Sequence, residues 1–253
     1  MISALISYGA LTGEGLWDPA GMRPWDPDQR GPVDVRRKQV LGSPFTVFGR
    51  LPLTDKLAFS ASALLFQNVA GIDRDATGIC MYVPFGSLET DIGYLESVKQ
   101  GYPSPALFSA TLPSSSLAEV AIYFKLKGPN RVLTGGLHSL LNCIRIAQSA
   151  LSAGKAEHML IIAVNALPAE PVDQCLLPAV DGTQCWAYAF LLSKAADRAV
   201  AALTIKDGID PDAGPVNSDY VFLSSLVGML ASGNTGNLAL VRETCTLVIE
   251  KDR

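Results

Sequence analysis

The chain has 253 residues, of which 49% are hydrophobic and 17% charged, with a net charge of −4. That length suits one large domain or two small ones. The acidic balance, without a long basic tract, argues against a nucleic-acid partner, and no apolar run nears the roughly 18 residues that a bilayer span needs.

Ile2–Tyr8 alternates loosely and stops at Gly9, as a first strand does. Residues 13–44 are rich in Gly, Pro, Asp and Arg and read as a long irregular segment. Segments of that length are usually functional or pinned to another surface. Its Arg36, Arg37 and Lys38 read as a solvated basic face. Thr54–Asn68 is a helix, with Thr54 placed to cap it and Leu57, Ala61, Leu64 and Leu65 on one face. Gly78–Phe85 (GICMYVPF) reads as a buried strand. Ser87–Gln100 returns to helical spacing with Leu88, Ile92 and Leu95 on a stripe, and Gly101–Pro105 breaks it.

Ala118–Leu126 is apolar and helical, ended by Gly128-Pro129. Then follow strand Arg131–Thr134, helix His138–Ala153 and strand His158–Val164. Cys185–Leu192 and Val200–Ile205 read as a hairpin pair, and Cys245–Glu250 as a last strand. This order predicts an α/β fold in which helices cover a mixed sheet, and the absence of repeats and linkers predicts a single domain over 1–253.

The reaction motifs are sparse. Neither GxGxxG nor GxxxxGK[ST] follows a strand, and HExxH and GxSxG are absent. Five cysteines (Cys80, Cys143, Cys175, Cys185, Cys245) form no CxxC pair and read as reduced thiols of a cytoplasmic protein. The N-terminus lacks a basic n-region, so no signal peptide is expected. With two histidines, His138 and His158, no metal site or His-pair chemistry is expected. Ser114–Ser116 reads as a turn or helix cap, and Cys143 as a packed side chain in mid-helix.

The most informative stretch is GPNRVLTGGLHSLLN, starting at Gly128. A strand, a glycine pair and a helix N-terminus commonly present a nucleophile beside backbone N–H groups that can hold an oxyanion. The residue entering this helix is Leu137.

The chain resembles the N-terminal half of β-ketoacyl synthases, which have a thiolase-like fold. The likeness runs through PLTDKLAFSASALL, Ser104-Pro105, AEVAIYFKLKGP, the glycine turn, AGKAEHMLIIAVNAL and DGTQCWAYAFLLS, touching most of residues 1 to about 205. In the family the nucleophilic cysteine stands nine residues after the Gly of Gly-Pro and seventeen before the Gly opening the next strand. Both counts, from Gly128 and Gly154, land on Leu137. The second half of a synthase, with its two catalytic histidines and lysine, has no counterpart. In Met229–Val241, Asn234 stands where one histidine segment would carry its histidine.

A leucine neither ionises nor forms a thioester. Cys143 lies roughly 9 Å further along the helix axis and would not inherit an oxyanion hole at its start. The resemblance is therefore to the chain length factors, synthase-like subunits without the cysteine, and among them to the short factors of aryl polyene assembly. The polyketide factors carry glutamine at the position of Leu137, so a role for that glutamine does not transfer.

As the resemblance implies, the chain pairs with an active β-ketoacyl synthase and shapes its acyl tunnel. Phe85, Leu88, Asp91, Leu95, Leu107 and Phe108 are the expected wall or interface residues, with Asp91 turned outward and Ile92 inward. No cofactor of its own is expected, since the acyl-phosphopantetheine arrives on an acyl carrier protein bound mainly by the partner. No membrane insertion is expected. The alternatives are a stand-alone thiolase-like acyltransferase or hydrolase using Cys143 with His138, and a purely structural synthase partner.

Overall fold

The computed structural model describes residues 2–167, 185–194, 199–207, 214–215, 218–240 and 245–250. In chain order the elements are β1 (Ile2–Leu11), β2 (Gly15–Asp18), β3 (Gly21–Pro24), α1 (Arg37–Val40), α2 (Leu53–Gln67), β4 (Thr77–Tyr82), α3 (Leu88–Lys99), α4 (Pro105–Ser109), α5 (Ser114–Phe124), β5 (Asn130–Leu133) and α6 (Leu137–Ser152). The remainder are β6 (His158–Ala166), β7 (Cys185–Ser193), β8 (Ala201–Asp207), β9 (Gly214–Pro215), α7 (Asp219–Ser232), β10 (Gly236–Leu240) and β11 (Cys245–Glu250).

All the strands join one mixed sheet in the order β5-β4-β6-β7-β1-β8-β11-β10-β9, with β2 and β3 branching from the end of β1. β5, β4 and β6 run parallel, while β7 is antiparallel to both β6 and β1. Helices cover both faces, so the central strands are apolar on both sides. β6 shows the consequence. Met159, Ile161 and Ala163 enter the core beneath α6 and α7, and Leu160, Ile162 and Val164 enter the core beneath α2 and α5. An aromatic cluster of Phe45, Phe59, Tyr123, Phe124 and Phe66 fills the second core, each ring about 5 Å from the next.

The mixed α/β architecture matches the sequence expectation, and three local readings are corrected. Residues 13–44 are not wholly irregular: β2 and β3 form a hairpin there, tied back by the Trp25 indole donating to the Thr12 carbonyl at 2.8 Å. β7 and β8 are not a hairpin pair, because β1 lies between them and bonds to both. Thr54 is not a cap; Pro52 precedes α2, and the Thr54 hydroxyl is buried without a partner. On α3, Thr90 is the buried residue, Leu88 and Ile92 are partly buried and Leu95 is 51% exposed. Cys175 and the DGTQ run at 181–184 lie outside the described residues.

Ser114–Ser116 open α5, and two of them have a further task. The Ser115 and Ser116 hydroxyls both donate to the Asp55 carboxylate in the first turn of α2, which pins α2 to α5. Burial pushes Asp55 up to about 6, with the hydroxyl bonds pulling the other way and Glu119 and Glu89 adding to the rise. A carboxyl raised in the fold binds its proton there before it does in the unfolded chain. Its contribution is therefore complete below about pH 4 and is lost as pH rises to about 6, an effect of about 3 kcal/mol. Asp55→Asn should raise stability at pH 7 by about 1–3 kcal/mol and flatten the difference between pH 4 and 6. Urea denaturation of both proteins at pH 4.5 and 7 checks this.

Candidate functional site

The turn from β5 into α6 is built by close backbone contact. Gly128 and Gly78 lie so near each other that a Cβ on Gly128 would sit 2.6 Å from the Gly78 nitrogen, which explains the Gly-Pro before the strand. Gly135 has φ +108°, a conformation side chains resist, and turns the chain into the helix. The Tyr82 hydroxyl donates to the Gly135 carbonyl at 2.9 Å, and the Gly135 N–H donates to the Pro84 carbonyl at 3.2 Å. The second bond ties the turn to the end of β4, next to Phe85. The Ser139 hydroxyl donates to the Thr134 carbonyl at 2.8 Å and closes the turn from the helix side.

Leu137 is the first residue of α6 and packs, partly buried, against the core beneath the helix. His138, the next residue, is exposed, and its ring lies 3.4 Å from Ser139 Oγ. Ser139 is already committed to the Thr134 carbonyl. His158 stands at the far end of the sheet, at the start of β6.

Cys143, on the core face of α6, is fully buried against the Cys80 thiol of β4. The Cys80 contact and burial both push its thiol well above the ordinary cysteine range. A nucleophilic thiol needs the opposite shift, and exposed His138 lies more than one turn away. Thiol labelling at pH 7.5 should therefore leave Cys143 unmodified in the native protein and modify it on denaturation. Rapid native labelling, read by peptide mass, would restore the Cys143 reading.

The proposed wall residues form a second group. Phe85 and Leu88 are partly buried at the turn into α3. Leu107 is partly buried where α4 meets α3, its Cδ1 facing Gly93. Phe108 is 61% exposed and lies against Tyr94, ring centroids 5.4 Å apart. Asp91 is exposed and Ile92 partly buried. Tyr94 is absent from the sequence reading, although its place three residues after Asp91 puts it on the same helix flank.

Among the described residues the sheet ends at β5, which pairs with β4 alone. The carbonyls of Pro129 and Leu133 bond to β4, so alternation turns the backbone groups of Asn130 and Val132 outward. Ile122 of α5 is 75% exposed, and Leu112 and Tyr102 are exposed as well.

No protein-family model matches the chain. It is 34% identical over 94 residues to a putative polyketide β-ketoacyl synthase of Streptomyces virginiae, a stretch covering 37% of this chain and 22% of that protein. Among solved structures, the Xenorhabdus doucetiae complex of the ketosynthase ApeO with its chain length factor ApeC is similar at a TM-score of 0.70 and 16% identity. That match covers 99% of this chain and 100% of the other. The chain has the ketosynthase fold.

Two further ketosynthase-fold structures are similar. The ishigamide ketosynthase/chain length factor matches at TM-score 0.60 and 20% identity, covering 84% of this chain and 69% of that one. The AntDE:AntF complex, a ketosynthase with its acyl carrier protein, matches at 0.64 and 12%, covering 99% of each chain. Against this fold, the ketosynthase-like chain presents its turn at α6 with a hydrocarbon at the first helical position. Among the described residues no helix is long and apolar enough to cross a membrane, and no group of His, Cys, Asp and Glu could hold a metal ion.

Proposed function

We propose that the chain is a non-catalytic chain length factor that pairs with an active β-ketoacyl synthase and shapes its acyl tunnel during polyketide or polyene elongation. The observation that carries this reading is Leu137 at the first position of α6, in a turn otherwise ordered by Tyr82, Pro84 and Ser139. Condensation by way of a thioester needs a thiolate to hold the acyl chain and donors to stabilise the enolate. Leucine supplies neither, and the two histidines stand apart. Leucine does fill an apolar seat, worth about 2 kcal/mol over an empty cavity.

The partner contacts follow from the open edge. The Asn130 and Val132 N–H groups and the Val132 carbonyl are offered to a strand of the synthase, the Asn130 carbonyl already accepting from the Arg131 guanidinium at 2.8 Å, and Ile122 offers apolar area beside them. In this arrangement Phe85, Leu88, Leu107 and Phe108 face the partner's acyl chain, and the synthase supplies thiolate, histidines and most of the carrier-protein contact. Complexes of a ketosynthase with its chain length factor among similar folds support the pairing.

Co-expression with a candidate synthase, followed by size exclusion and assays of each chain alone and together, tests the proposal. A stable complex, active only when the synthase is present, is expected. Elongation by the isolated chain, or no complex with any synthase encoded beside it, would overturn it. Leu137→Cys should likewise leave the isolated chain without condensation activity, because the supporting histidines are not restored. Mass spectrometry of acylated protein together with product analysis reads this.

A further inference from the structure

The open edge of β5 carries a charge whose place limits what can pair with it. Alternation along the strand packs Val132 against the core beneath α2 and α5, and Leu133 against the core beneath α6. Arg131 therefore shares the face of Leu133, in register with Cys80 of β4. Its side chain is exposed and forms no ion pair among the described residues. The guanidinium instead donates to the Asn130 carbonyl at 2.8 Å. That carbonyl points away from β4, so the cation lies across the row of backbone groups that an incoming strand meets.

A second copy of the chain can meet this edge across a two-fold axis only with its strand antiparallel. Asn130 and Val132 hold the outward backbone groups. The register that bonds both within the strand sets Asn130 of each copy against Val132 of the other. Arg131 then faces Arg131 in a non-hydrogen-bonded pair, where Cβ atoms come within about 5 Å and like charges repel. A register centred on Val132 avoids that pair, but sets Asn130 against Thr134, beyond the end of β5. The best-bonded homodimer is therefore the one that the charge opposes.

We infer, given the pairing proposed for this chain, that Arg131 selects the partner of the β5 edge: it keeps two copies apart and admits a synthase strand with Asp or Glu at the facing position. A facing carboxylate draws the guanidinium off the Asn130 carbonyl. That frees the carbonyl for the incoming N–H and gives the cation a charge-assisted bond in place of one to its own backbone. An uncharged facing residue leaves the guanidinium in place and one edge acceptor occupied. Charged side chains on edge strands block unwanted pairing in the same way.

Charge reversal tests this with the chain alone. Analytical ultracentrifugation of the wild-type chain and of Arg131→Glu, each alone and as an equimolar mixture, compares facing like charges with facing opposite charges. Each protein alone should self-associate weakly, and the mixture at least about tenfold more tightly. Arg131 is exposed, so the variant should keep its fold, checked by circular dichroism. In the complex with the synthase, Arg131→Glu should weaken binding about tenfold, and Arg131→Gln by less. A mixture that associates no better than its components, or a wild-type chain that dimerises as tightly as the mixture, would overturn the inference. So would a synthase complex indifferent to Arg131→Glu, a result that leaves the pairing itself standing. Failure to bind any synthase would instead remove the pairing, and the mixture would still decide whether Arg131 governs self-association.

Discussion

Leu88→Phe and Leu107→Trp, each assembled with the active synthase, are expected to shift the product towards shorter chains by roughly tenfold. Both side chains are partly buried on the α3–α4 surface, Leu107 against Gly93 and beside the Tyr94–Phe108 pair. Under the proposed function, a larger group there projects towards the partner's acyl chain. Overpacking costs about 1–3 kcal/mol, and about 1.4 kcal/mol, in the lower half of that range, applied to one elongation step gives the tenfold figure. Mass analysis of products from complexes matched by size exclusion reads the outcome. Unchanged product lengths in both intact complexes would reduce the role of the chain to structural support.

Ile122→Asp should break the complex while leaving the chain folded. The side chain is 75% exposed, so an aspartate there is solvated in the free protein and costs little. Buried against a partner without a counter-charge, it costs about 2–5 kcal/mol, a loss of affinity of roughly thirtyfold or more. Val132→Pro probes the edge itself. The N–H of Val132 faces away from β4, so proline is tolerated within the chain's own sheet and removes a donor to the partner. Analytical ultracentrifugation of the complexes, with circular dichroism of the free variants, separates loss of docking from loss of fold. Full affinity in both variants would move the interface elsewhere.

These experiments address different steps. The interface variants ask whether pairing uses the β5 edge, and the wall variants ask whether pairing, once made, affects chain length. A complex that survives every interface substitution but responds to Leu88→Phe would keep the tunnel role and displace the docking surface.

Much of the architecture was legible in the sequence because it depends on local periodicity. α2 and α6 show apolar residues at helical spacing, and β4 and β6 are apolar runs bounded by glycine and polar residues. α7 was legible in principle, with Ser218 bonding the Val221 N–H at one end and Gly233 in the left-handed conformation at the other. The β2–β3 hairpin was hidden because its Gly, Pro and Arg content matches loop composition. α3 shows the limit of a stripe: Leu88, Ile92 and Leu95 share a face by spacing, but Leu95 is left 51% exposed among the described residues.

What the sequence determined by itself is the identity of the residue in the seat. Leu137 stands at the entry of α6, where the resemblance to the synthases puts the nucleophile, and no tertiary arrangement can give a hydrocarbon the chemistry of a thiolate. What only the tertiary structure decided are the relations between distant segments. β1 inserts between β7 and β8, Asp55 meets Ser116 across two helices, and Cys143 buries against Cys80. Such contacts come from strand pairing and burial between residues far apart in the chain, and spacing along one segment does not encode which segment arrives to face it.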